Sequence, residues 1–584
     1  MKRFIIIISF CFFAASANSD DIKITRVKNF LPQPQIDRIF PMPVDSPDYD
    51  EAVLPNDAVQ FITFKDQGYI LVFPSKVEDF ELYINNIKID TLALKKEKIN
   101  KIDISKISKN GINTIEVYNV VGGGEVRVQA PYAEVLEDLQ TYKDSLSFKL
   151  IDDIINSEVD GGFPSAQLIV IKDGKVIKKT NYGYINNFDE HGQPLEKSKK
   201  IPVEYNTLFD LASNTKMYAT NFAIQHLVYE GKIAVDDLVS KYIDGFYDKE
   251  TDLIKGKDTL TIRDLLSHQS GFAPGVNAYL RAKNGLGLIA MPKNRQEMQQ
   301  LLVNAPLVSS PRSKAVYSDI DFILLGLIVE KVTGRDLDDY ARATFYSPLK
   351  LRNISFTPLK NGFGKRSIAA TTISSSTDQR GNVVWGVVQD ITSYLMGQVA
   401  GHAGLFSNAT DLGYLAQVML NGGGYGQLKF FDLPTIEEFT ASQNLNDTFA
   451  LGWRKQGPRF KYANMFGPFA SMNAFGHSGW TGTLTVIDPD NNLVIVLLTS
   501  KKNALPIAAG VTNGDRYITG KYSAVAALVY AAFIDDSKDA NESRIADLIR
   551  EKQKQIELKP NNNNVANILS LEALIEAQAR FLGY

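Results

Sequence analysis

The feature that most constrains the fold is a pair of apolar hairpin signatures set far apart in the chain. Residues 167–171 and 175–179 flank an Asp173-Gly174 turn, while residues 483–487 and 493–498 flank the loop Asp488-Pro489-Asp490-Asn491-Asn492. A helix-period segment (Leu150, Ile151, Ile154, Ile155) precedes the first hairpin, and an apolar helix over residues 522–534 follows the second. One antiparallel sheet assembled from both ends of a domain and faced by helices accounts for this order. The stretch between reads as mostly helical, including residues 213–229, closing at Gly231, and residues 320–332, closing at Gly334. The expected fold class is therefore α/β in the α+β sense: an antiparallel sheet flanked by helices, plus an all-helical subdomain, with a cleft between the two.

Ahead of that domain, period-two alternation recurs through residues 59–64, 80–84 and 115–118, with Asn85-Asn86 and Gly122-Gly123-Gly124 as turns. This predicts a small β-sandwich, preceded by an extended lead-in carrying Pro32, Pro34, Pro41, Pro43 and Pro47. A chain of 584 residues, 44% of them hydrophobic, can bury more than one core. The expected division is a signal peptide over 1–17, a sandwich over 18–135, the main domain over 136–535 and a helical tail over 536–584 with an Asn561-to-Asn564 run.

Lys2 and Arg3, an apolar run over residues 4–13 and the small residues Ala15-Ser16-Ala17 predict an export signal, with the mature chain beginning at Asn18 in the periplasm or outside the cell. The sole cysteine, Cys11, lies inside that signal. Phe10 is too bulky for a bacterial lipoprotein site, so Cys11 is expected to leave with the signal rather than carry a lipid. A mature chain without cysteine excludes a thiol nucleophile and a cysteine-zinc site. A net charge of −3 gives no global pull toward nucleic acid. The five histidines form no H-E-x-x-H pair, no phosphate loop follows Asn421-Gly422-Gly423-Gly424, and no G-x-S-x-G elbow exists. The expectation is an enzyme without metal or cofactor.

Ser213 and Lys216 stand three apart at the start of a predicted helix, so their side chains can touch. Burial and the positive end of the helix both disfavour a charged lysine, which is how such a lysine becomes a base for a serine hydroxyl. Ser347-Pro348-Leu349-Lys350 satisfies the same spacing, so context must decide. That context is Tyr317-Ser318-Asp319 before a helix and His477-Ser478-Gly479-Trp480-Thr481-Gly482 before the last strands.

With these three elements in this order, the sequence resembles the penicillin-recognising serine hydrolases, in particular the class C β-lactamase-like group. The likeness extends through residues 211–222, 401–407 and 479–483 and covers roughly residues 140 to 535. It implies that Ser213 is the nucleophile, Lys216 its base and Tyr317 a partner in proton transfer to the leaving group. It further implies an oxyanion hole from the backbone N–H groups of Ser213 and Trp480, each such donor being worth about 3 kcal/mol of barrier. Gly479 fits a strand lying close against substrate backbone.

Two residues depart from the pattern. Asp319 stands in place of asparagine, and a carboxylate beside Lys216 favours the charged lysine. His477 stands where many relatives have lysine, so binding of a substrate carboxylate is expected to weaken as pH rises through the histidine pKa. Among the other histidines, His268 reads as a helix-end hydrogen-bonding residue and His402, between Gly401 and Gly404, as a structural residue of a loop, with the shaping of a loop near the cleft as its alternative.

The resemblance implies a DD-carboxypeptidase acting on peptidoglycan stem peptides, with β-lactams as covalent ligands. A β-lactamase or small-acyl esterase shares the same chemistry. A reading of another class makes the chain a polysaccharide-binding protein, its sandwich docking sugar and its second domain weakly active because of Asp319.

Overall fold

The computed structural model describes residues 22–41, 58–276, 292–374, 380–443, 448–457 and 463–534, with 544, 545, 547, 548, 550, 551 and 554. The signal segment with Cys11, Pro43, Pro47 and the rest of the tail over 536–584 lie outside the described residues. The chain divides into two compact units, Met1–Ala133 and Glu134–Tyr584.

In the first unit, a five-stranded sheet (Ile24–Val27, Ile99–Asp103, Tyr69–Ser75, Glu125–Ala130, Ile36–Pro41 in spatial order) packs on a four-stranded one (Val59–Thr63, Gly111–Val121, Asp79–Ile84, Ile87–Ile89). Ile70, Val72 and Val126 from the first sheet share one core with Phe61, Leu82 and Val117 from the second. That is a β-sandwich, and it follows from the alternation of the strands.

The second unit is organised by seven strands: β1 (Leu136–Glu137), β2 (Ser165–Lys172), β3 (Lys175–Gly183), β4 (Arg454–Lys455), β5 (Phe475–Gly479), β6 (Thr483–Asp488) and β7 (Leu493–Thr499). They lie in the order β1-β3-β2-β7-β6-β5-β4, antiparallel except for the short β1–β3 pair. The two hairpins meet where β2 pairs β7, with Ala166 opposite Thr499 and Lys172 opposite Leu493. Successive side chains of β7 alternate between cores. Leu493, Ile495 and Leu497 enter one, and Val494, Val496 and Leu498 the other. A strand buried on both faces reads as a continuous apolar run, which is why residues 493–498 carry no polar alternation.

Helices cover each face. On one, Phe148 and Ile151 of α1 (Leu146–Asp160) meet Leu528 and Val529 of α5 (Ser523–Ile534). The opposite face receives α2 (Phe222–Tyr229), α3 (Asp319–Thr333) and α4 (Ala409–Leu420). Gly413 lets α4 approach closely, since a Cβ there would lie 3.3 Å from Ile169 and Ile171 of β2. A small sheet of Phe209–Asp210, Leu405–Ser407 and Ile354–Phe356 bridges from the helical region to the segment that carries Ser213. Among the described residues, no helix is long and apolar enough to cross a membrane.

Candidate active site

Ser213 sits in a tight 3-10 turn, Ala212–Asn214, which passes into a π-helical turn, Lys216–Asn221, and only then into α2. The expected helix over 213–229 is therefore present, but its first two turns are not α-helical. The nucleophile segment is held by side chains that reach across to it. Thr483 Oγ1 donates to the Leu211 carbonyl at 2.9 Å and accepts from Asn214 Nδ2 at 2.9 Å, and Thr481 Oγ1 donates to the Asp210 carbonyl at 2.8 Å.

Lys216 is fully buried, and its ammonium has three acceptors: Asp319 Oδ1 at 2.7 Å, Ser213 Oγ at 3.1 Å and the His402 carbonyl at 3.2 Å. Three donors thus meet three oxygens. Burial pulls the lysine pKa down, but the neighbouring Asp319 carboxylate, helped by the Tyr317 hydroxyl, outweighs it and the net direction is up. Asp319 opens α3, where the helix dipole favours its carboxylate. The resting site accordingly holds an ammonium, as the departure from asparagine anticipated.

Tyr317 lies against this pair, with the Lys216 ammonium 4.9 Å from its ring centroid. Its hydroxyl is buried and has no hydrogen-bond partner among the described residues. Burial raises its pKa, against the opposing pull of Lys216 and Ser213, so it stands as a protonated phenol facing those two groups.

Ser213, Tyr317, Asp319, His477 and Trp480 line one cleft of about 600 Å3. Lys216 lies beneath its wall, and Trp480 is 43% exposed on its rim. Ser347 and Lys350, the decoy pair, do not line it.

One expectation needs correction, and two others gain detail. His477 is buried and its pKa is pushed well below the ordinary histidine value, by burial first and then by the charges of Arg454 and Lys216. Nδ1 bonds the Ser478 carbonyl at 2.8 Å, which leaves Nε2 without its proton. A neutral imidazole cannot bind a carboxylate through charge. Gly479 is required by the chain itself, because a Cβ there would fall 2.2 Å from Thr483 Oγ1 and 2.4 Å from the Leu211 carbonyl. Gly479→Ala should therefore push β5 away from the nucleophile turn, at a cost of about 1–3 kcal/mol in stability. Thermal melting checks this, and the same variant should acylate more slowly. His402 lines the cleft, the second of the two readings its loop allowed. Its Nε2 shares a 2.8 Å hydrogen bond with Asp390 Oδ1, and its carbonyl receives Lys216. Burial would raise Asp390, but His402 outweighs it and holds the carboxyl down to about 2. His268, by contrast, stays behind the cleft, bonded to Asp321 at 2.9 Å with its ring 4.7 Å from that of Tyr317.

Sequence reasoning missed Arg454. It lies on β4, paired opposite Gly476 of β5, and its guanidinium stacks 3.6 Å from the Phe449 centroid and 5.1 Å from that of Tyr317 while lining the cleft. No motif marks it, since only strand pairing brings residue 454 beside residues 475–479. Among the described residues, the charges of the cleft wall are thus Arg380 and Arg454 against Asp319 and Asp390. Among the described residues, no cluster of acidic, histidine or cysteine side chains could hold a metal.

A sequence profile of the beta-lactamase family matches residues 150–512. Over 402 residues the chain is 44% identical to a Salmonella gallinarum protein whose name provisionally assigns it D-alanyl-D-alanine carboxypeptidase activity, spanning 67% of this chain and 91% of that one. It is also 44% identical over 395 residues to the N-acetylmuramyl-L-alanine amidase of Bacillus subtilis, spanning 65% and 88%. Among solved structures, EstCE1, a hydrolase with promiscuous acyltransferase activity, superposes with a TM-score of 0.50 at 20% identity, over 66% of this chain and 100% of its own, a likeness of fold alone.

Proposed function

From a chain that belongs to the beta-lactamase family and is a serine hydrolase, we propose that Ser213 forms an acyl-enzyme with peptidoglycan stem peptides and that the activity is a DD-carboxypeptidase. The observation that carries this reading is the convergence of Ser213, Tyr317 and the buried Lys216–Asp319 pair on one cleft that also presents a guanidinium, Arg454.

In this reading, substrate closing the cleft strips water from Asp319, whose side chain is 31% exposed, and so favours the neutral form of the pair. The proton moves from Lys216 Nζ to Asp319 Oδ1. The freed amine takes the proton of Ser213 Oγ as that oxygen adds to the substrate carbonyl. The oxyanion is received by the backbone N–H groups of Ser213 and Trp480. Tyr317 then gives its proton to the departing amine and regains one from Lys216. Water repeats the sequence on the ester, which frees Ser213.

The amidase relative supports a second reading, in which the amide cut joins the N-acetylmuramyl group to L-alanine. The two are separated by mass analysis of muropeptide products, since one releases D-alanine and the other splits sugar from peptide. A substrate of either kind places the protein outside the cytoplasmic membrane. The N-terminal sandwich is proposed as a polysaccharide contact, to be tested by cosedimentation with isolated cell wall.

The primary test is intact mass after incubation with a penicillin and with a fluorophosphonate. Wild type should gain one adduct with each and Ser213→Ala none. Labelling that persists in the variant removes Ser213 as nucleophile, and labelling by fluorophosphonate alone turns the reading toward an esterase.

A further inference from the structure

Ala212, the residue immediately before the nucleophile, holds φ at +47°, a left-handed conformation that is unfavourable for a non-glycine residue and persists only where its surroundings impose it. The group that imposes it is Asp210. This aspartate is 3% exposed and ends the short strand that pairs with residues 405–407. Its Oδ1 accepts the Ala212 N–H at 2.9 Å, and its Oδ2 accepts the Gln389 N–H at 2.8 Å. Its own carbonyl accepts Thr481 Oγ1 at 2.8 Å. One residue therefore ties together three walls of the cleft: the turn that presents Ser213, the segment that leads into Asp390, and the loop that follows Trp480.

We propose that Asp210 is a positioning residue for acyl transfer, its ionised carboxylate locking the strained Ala212 turn so that Ser213 Oγ stays within reach of Lys216 while Gln389 holds the Asp390–His402 pair against the same cleft. The inference rests on Ser213 being the nucleophile. A carboxylate suits the task because it accepts two N–H groups at once and donates none. Asparagine keeps one acceptor and turns an NH2 toward the second N–H. A neutral carboxylic acid has the same defect at its O–H.

The lock is sensitive to protonation. Burial raises the Asp210 carboxyl to about 6, against the two N–H groups that favour its charge, and of the charges that face it Asp390 raises it further while Arg380 opposes. Above that pH both hydrogen bonds to the carboxylate are in place, and as pH falls through it one is lost. A displacement of about 1 Å at a reacting group costs on the order of 100-fold in rate. Acylation should therefore fall on the acid side through a limb that belongs to Asp210 rather than to a group touching substrate.

The experiment is fluorophosphonate inactivation, resolved into a binding constant and a maximal rate, from pH 5 to 8 on wild type, Asp210→Asn, Ala212→Gly and the double variant. Wild type should show an acid limb in the maximal rate with an apparent pKa near 6. Asp210→Asn should lower the plateau roughly 10- to 100-fold, leave the binding constant within about threefold, and lose the limb. Glycine adopts φ +47° without strain, so Ala212→Gly should recover most of the rate in the double variant. If Asp210→Asn does not fold, Ala212→Gly alone decides, because relieving the turn should flatten the acid limb. An Asp210→Asn rate within about twofold of wild type with its limb intact overturns the proposal, as does an unchanged limb in Ala212→Gly. Failure of wild type to label at Ser213 is a different result, and it removes the nucleophile instead.

Discussion

Lys216→Met should lower the rate at which Ser213 is acylated by roughly three orders of magnitude, the upper part of the range for loss of a general base. Methionine fills the same volume but supplies none of the three hydrogen bonds that the ammonium makes to Asp319, Ser213 and the His402 carbonyl. Asp319→Asn separates charge from shape at the same point. In the wild-type site burial depresses the lysine and Asp319 and Tyr317 more than restore it. With the carboxylate gone, burial gains weight and the lysine pKa falls, so the pH at which a neutral amine becomes available must fall too. The rising limb of the acylation profile that reports loss of the lysine proton should accordingly shift to lower pH in Asp319→Asn, with the plateau rate retained within about tenfold. Stopped-flow acylation across pH 6 to 10 reads both effects. A plateau loss in Asp319→Asn as large as that in Lys216→Met would mean that the carboxylate, not the amine, is the obligatory proton acceptor.

What could be read in the sequence was what is local or periodic. Ser213 and Lys216 meet because three residues of any tight helical turn bring side chains together, whether its hydrogen bonds are α, 3-10 or π in type. The sheet could be read because residues 493–498 and 167–171 are apolar over the length of a strand, and the order in which the hairpins join follows from there being one sheet to share. What stayed hidden depended on burial and on register. His477 looked like a titrating cation because its spacing is that of a charged residue in relatives, and nothing in spacing reports that the ring is enclosed beside Arg454 and Lys216. Arg454 was silent because pairing of β4 with β5 is a long-range choice of edge strand. At Gly479 the atoms that forbid a side chain come from residues 211 and 483, which only the folded chain brings together. The left-handed Ala212 gave no signal, since alanine rarely adopts that conformation and the carboxylate that imposes it contacts Gln389, far away in sequence. His402 did carry a readable hint in its flanking glycines. Gly401 brings the loop against α3, where a Cβ would lie 1.9 Å from the Phe322 carbonyl, and that approach sets the carbonyl of the next residue on Lys216.

Arg454→Gln should raise KM for a substrate ending in a carboxylate by about 10- to 100-fold, with a far smaller effect on an uncharged acyl ester. The magnitude follows from losing a hydrogen bond to a charged group, about 1.5–3 kcal/mol, at 1.4 kcal/mol per factor of ten. The guanidinium is suited to this task by its placement, fixed over Phe449 at 3.6 Å so that little side-chain freedom is lost when substrate arrives. Its charge also persists at every working pH, whereas His477 is held neutral by burial and by that same guanidinium. The consequence is the loss of the pH dependence expected from the sequence. Instead of a KM that rises as pH passes through the histidine range, KM for a carboxylate substrate should be flat from pH 5 to 8 in wild type, and His477→Asn should leave that profile flat. A KM that climbs across this interval in wild type and loses its climb in His477→Asn would return the carboxylate to His477 and leave Arg454 as packing for Tyr317. A flat profile together with a raised KM in Arg454→Gln assigns the charge to β4, the edge strand that closes the cleft.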